Sequence, residues 1–199
     1  MAGFLLLLRM KNVYMIGFIK EYKRKKLLAS VQRVQHPVLL NFKDVHVLGI
    51  LFVANSQNAM AEAVELFEAL GNLNVRFSGA VVECGKCFRN HAARNEYIEF
   101  CNSHNVDFIS KGAVNWVGQP HDKAAPQLDG KRFNLFLVMN LGNSFTVDYL
   151  TQKVEADCIV GMHNNRRMPY TLVMEPAAGD FSYSRYLEGV FDFLKKVNA

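Results

Sequence analysis

VHVLGILFVANSQNAMAEAVELFEALG, residues 45–71, changes its hydrophobic period halfway along. Val45–Ala54 is a nearly continuous apolar run rich in β-branched residues, as expected of a strand covered on both faces. Asn55–Asn58 then offers side chains that can cap a helix. Over Ala59–Leu70 the residues Met60, Ala63, Val64, Phe67 and Leu70 share one helical face, while Glu62, Glu65 and Glu68 point away. Gly71 can close that helix. A buried strand feeding a one-sided helix is the repeating unit of a parallel sheet.

The same alternation continues downstream. Val75–Glu83 reads as a second strand, Glu96–His104 as a helix and Val106–Ser110 as a third strand. A loop from about Gly118 to Gly130 carries Pro120 and Pro126. Phe133–Leu141 is another buried strand, and Gly142-Asn143-Ser144 turns into a helix near Phe145–Glu155. Asp157–Met162 and Tyr170–Glu175 add two strands, and a last helix spans about Ser182–Val197. The expected fold is α/β: a Rossmann-like three-layer sandwich with a mostly parallel sheet of about five or six strands, preceded by a basic amphipathic helix.

That helix belongs to an arm, residues 1–36, set before a single α/β domain of residues 37–199. It reads as helical over about Met10–Val34, with Met15, Ile16, Phe18, Ile19 and Tyr22 on one side and Lys23–Lys26 following. Pro37 breaks the pattern, and His36–Lys43 reads as a linker or short edge strand. Met10 and Met15 are alternative starts, and the expectation is that residues 1–14 extend a natural beginning at Met15.

Charge is divided along the same line. The arm holds eight Lys and Arg against Glu21 alone, whereas the remaining residues hold 15 bases and 17 acids. The domain body is therefore not a nucleic-acid-binding surface by composition. No apolar run approaches the roughly 20 residues of a spanning helix. The apolar run Phe4–Leu8 precedes its charges, the reverse of a cleaved secretory signal. Four cysteines are too few for a disulfide framework, so a reducing cytoplasm is the expected location, with the arm able to hold the protein at the inner membrane.

Cys84-Gly85-Lys86-Cys87 lies after a strand and before a helix, where a thiol-disulfide enzyme would place a CxxC pair. With His91, Cys101 and His104 the same thiols supply enough soft ligands for tetrahedral zinc, although not at two-knuckle spacing. Reduced, inert thiols near a strand end are the preferred reading. Ser144 after Gly142-Asn143, and His163, Arg166 and Arg167 after another strand, fall where open α/β sheets bind ligands, so these four are anion-binding candidates. A tight turn and a solvated loop are their commoner explanations. Trp116, the one tryptophan, is expected to anchor its loop on the core.

Lys20, Lys23, Arg24, Lys25 and Lys26 are the candidate contacts to an anionic membrane surface or an acidic protein partner. A solvated extension is the plainer alternative, and nucleic acid is the least favoured partner. MIGFIKEYKRKK (Met15–Lys26), VLGILFVA (Val47–Ala54), VNWVGQPHDK (Val114–Lys123), FNLFLVMNLGNSFTVDYL (Phe133–Leu150) and ADCIVGM (Ala156–Met162) together resemble a small family of Bacteroidota proteins of unknown function. In that family a short basic helix precedes an α/β domain. The resemblance supplies no catalytic residue. It implies acids in the central strand, where this chain has Asn134 and Asn140. A binding or scaffolding protein is expected rather than an enzyme, with no cofactor. A thiol-disulfide or metal-binding role at the CGKC motif, and small-anion binding at the carboxyl end of the sheet, are the alternatives.

Overall fold

The computed structural model describes residues 2–31, 38–163, 165, 168–176 and 181–197, with the side chains of the first helix from Met15 on. Six strands form one sheet, all parallel: β1 (Val47–Ala54), β2 (Arg76–Glu83), β3 (Val106–Ile109), β4 (Arg132–Met139), β5 (Glu155–Gly161) and β6 (Leu172–Val173). Their spatial order is β3-β2-β1-β4-β5-β6, with the direction of winding reversing between β1 and β4. The helices are α1 (Ala2–Val31), α2 (Gln57–Gly71), α3 (His91–Ser103), α4 (Phe145–Lys153) and α5 (Tyr183–Lys196).

Side chains alternate across β1 and so feed two cores. Leu48, Ile50 and Phe52 meet α2, α3 and α5 on one face. Leu51 and Val53, with Phe136 and Val138 of β4, meet Val147 and Leu150 of α4 on the other. The connection from β3 to β4 contributes Ala125 and Leu128 to this second face, and α1 lies outside α4. Three layers around two apolar cores are the expected sandwich.

Boundaries moved where a polar side chain decided them. The Asn90 side chain accepts from the Ala93 N–H, starting α3 at His91, five residues before Glu96. Val154 turns to extended backbone, so Glu155 opens β5 rather than ending α4. The expected strand Tyr170–Glu175 shrinks to two residues, because the Thr171 hydroxyl accepts from Ile159 N–H in place of a ladder partner. Of the reading of His36–Lys43, the part from Val38 contains no strand but a tight turn at Phe42–Asp44; its first two residues lie outside the described ones.

Asn134 and Asn140 are explained by geometry. The Asn134 carbonyl oxygen accepts from the His46 and Val47 N–H groups, while its amide donates to Asp157 at 3.1 Å. A carboxylate there could not donate. Asn140 is buried, and its side-chain oxygen accepts from Gly142 N–H at 3.0 Å, shaping the turn into α4.

Candidate functional site

At the winding reversal an open α/β sheet ordinarily leaves a crevice for its ligand. Beside it the Cys84–Cys87 loop packs on the end of β1. The Cys84 N–H donates to the Ala54 carbonyl at the end of β1, and the buried Cys87 thiol donates to the same oxygen at 3.2 Å. Gly85 comes so close to the Asn55 carbonyl that a Cβ on it would lie 2.1 Å from that oxygen. Glycine is thus required by backbone approach, not by a phosphate.

The same surroundings act on the thiols. Burial raises the Cys84 thiol above its ordinary value despite the Ser144 hydrogen bond and nearby Lys111. Burial likewise raises Cys87, over a backbone hydrogen bond at Gly85. An attacking thiol needs the opposite shift. Cys101 and Cys158 are buried elsewhere in the core, Cys101 pushed up to about 12 by that burial. His91 is exposed at the start of α3, and His104 is held by the Phe100 carbonyl at 2.9 Å with its ring tilted against the Phe100 ring. Among the described residues no three His, Cys, Asp or Glu side chains gather as a metal site, so the zinc set of Cys84, Cys87, His91, Cys101 and His104 is not assembled.

The cavity at this edge lies one strand further on. The loops after β4 and β5 bring Asn143, Ser144, His163 and Asn165 to one cleft of about 490 Å³. Phe145 and Asp148 of α4 line it from below, and Glu21, Arg24, Lys25 and Leu28 of α1 roof it. His163 holds the Asn140 carbonyl through Nδ1 at 3.0 Å, which fixes its ring at the cleft wall. The Ser144 side chain makes no capping bond to α4, although the residue stands at the N-cap. Arg166 and Arg167 lie outside the described residues.

α1 is held over this edge by several contacts to the domain. Arg24 Nε donates to the Val117 carbonyl at 2.9 Å, and its guanidinium lies 4.9 Å from the Phe145 ring centroid. It also pairs with Glu21 at 3.0 Å. Lys23 stands 5.0 Å from the centroid of Trp116. The turn beneath is tight: Gly118 has φ of +92°, and its carbonyl accepts from the Thr146 hydroxyl at 2.7 Å. Lys23 and Arg24 are thus engaged by the protein itself, so α1 is no solvated extension at these residues. Trp116, expected as the loop's anchor, is 53% exposed; the neighbouring Val117 is buried and takes that role, leaving the indole to receive Lys23.

Sequence reasoning had named Ser144, His163, Arg24 and Lys25 separately, the last two only as outward contacts. It missed Glu21, Leu28, Asn143, Phe145, Asp148 and Asn165. The acid in the first turn of α4 was a readable signal, being the place where a carboxylate meets a helix N-terminus.

By fold this is a doubly wound, all-parallel α/β protein with a roofed cleft beside its carboxyl edge. The chain belongs to the Family of unknown function (DUF6913), whose model matches residues 17–196. That match takes in α1 from Gly17, so the family segment includes the roof as well as the sheet. No curated protein and no solved structure matches the chain.

Proposed function

We propose that the chain is a non-catalytic, cytoplasmic binding protein that holds a small carboxylate-bearing molecule in the cleft beneath α1. The observation carrying this reading is that Ser144 and His163, from two different strand ends, share one cavity with Arg24 and Lys25. Its volume of about 490 Å³ suits a small molecule. Lys25 and the N-terminus of α4 favour an anionic group, while Phe145 and Leu28 offer apolar surface.

The acids in the cleft narrow the class. Glu21 is paired with Arg24, but Asp148 already stands in the first turn of α4. A singly charged carboxylate tolerates that neighbour better than a polyphosphate, which also wants a glycine-rich cradle. Binding is favoured over catalysis because the thiol nearest the cleft, Cys84, reaches Ser144 only at 3.9 Å and is raised by burial. Four free cysteines, three of them buried, support the cytoplasmic assignment.

Amide NMR titration with benzoate, and with inorganic phosphate for comparison, tests the proposal. Benzoate at millimolar concentration is expected to shift the signals of Asn143–Phe145, His163 and Lys25, and Lys25→Glu is expected to weaken binding by about tenfold. Signals unmoved by both probes, or shifts scattered away from the cleft, would contradict it.

A further inference from the structure

The two sides of α1 differ in kind. Lys20, Arg24, Leu27, Leu28 and Val31 are half-buried at the spacing of one helical stripe, the stripe turned to the domain. On the far side Met15, Phe18, Ile19 and Tyr22 are 58, 74, 41 and 62% exposed, at i, i+3, i+4 and i+7. Four large apolar side chains in one outward strip are unusual for a surface that meets only water. From Met15 to Val31 the helix carries Lys20, Lys23, Arg24, Lys25 and Lys26 against Glu21 alone. Lys25 and Lys26 are exposed just beyond the strip.

We propose that this outward strip docks the protein on an anionic phospholipid surface. Met15, Phe18, Ile19 and Tyr22 enter the boundary between headgroups and acyl chains, and Lys26, which does not line the cleft, lies among the lipid phosphates. Charge selects this occupant. A second copy seated on the strip would bring two strongly basic helices together, whereas an anionic bilayer neutralises the bases and admits the apolar side chains. The strip spans eight residues, about 10 Å of helix, which suits lying in the interface plane. No described helix is long and apolar enough to cross a membrane. The strip faces away from the cleft, so this docking stands or falls separately from the ligand proposed there.

Co-sedimentation of the full chain with vesicles of mixed phosphatidylglycerol and phosphatidylcholine, against phosphatidylcholine alone, tests the docking. The protein is expected to pellet with the anionic vesicles only and to be released as salt rises. Phe18→Glu is expected to lower the affinity about tenfold or more, with an unchanged thermal melt, because Phe18 is the most exposed of the four. No pelleting with anionic vesicles, or equal pelleting of Phe18→Glu, overturns the proposal. A dimer in light scattering that Phe18→Glu dissolves, with vesicles inert, also overturns it and assigns the strip to a second copy. Capture by polyglutamate as strong as by the vesicles and indifferent to Phe18→Glu overturns it in favour of an acidic protein.

Discussion

Asp107 shows how one side chain can work against the fold that holds it. It sits on β3, where its carboxylate accepts from the Gln127 N–H at 2.7 Å. Partial burial outweighs that bond and the attraction of Lys131, raising the carboxyl to about 6 from an ordinary 3.8. A raised pKa means the folded chain holds a proton that the unfolded chain has released. Stability from this group is therefore full below about pH 4 and is lost as pH rises through about 6. Asp107→Asn keeps an acceptor for Gln127 and removes the charge. Chemical denaturation should find it more stable by about 1 kcal/mol at neutral pH, solvent screening having been discounted, and no more stable at about pH 3. An equal effect at both pH values would show that the charge is not the cause. Other single residues were equally unreadable in advance: Gly85 answers to the Asn55 carbonyl and Asn134 to two N–H groups of the β1 approach, neighbours that lie far along the chain.

Among the elements, those legible from sequence are the ones whose environment is written in their own residues. β1 and most of β4 are covered on both faces and so appear as largely apolar runs, and α2 announces itself by Ser56 and a periodic face. The docking of α1 left no such trace. Arg24 and the Val117 carbonyl are separated by 93 residues, and a basic residue on a helix reads the same whether it meets water, lipid or a distant loop. The consequence can be measured at this scale. Arg24→Ala removes a charge-assisted hydrogen bond and the contact with Phe145, and should loosen α1 by about 1 kcal/mol. Limited proteolysis is expected to cut within residues 15–31 faster in that variant while the sheet stays protected. Unaltered cleavage would mean that Arg24 does not hold the helix down.

At the scale of the whole molecule, the sheet order dictates where a ligand can sit, and the loops decide which part of that edge remains open. The Cys84–Cys87 loop packs on the end of β1, while the loops after β4 and β5 meet under α1. That Ser144 and His163 belong to one edge followed from their places after strands. That α1 roofs them required the folded chain, since no local pattern joins Lys25 to His163. Hydrogen–deuterium exchange over Lys20–Val31, with and without benzoate, measures the roof and its ligand together. The backbone there should exchange slowly in the free protein, and benzoate should slow it further along with the first turn of α4. Exchange in Lys20–Val31 as fast as in an unpacked helix, unaltered by benzoate, would contradict both the roof and the binding site beneath it.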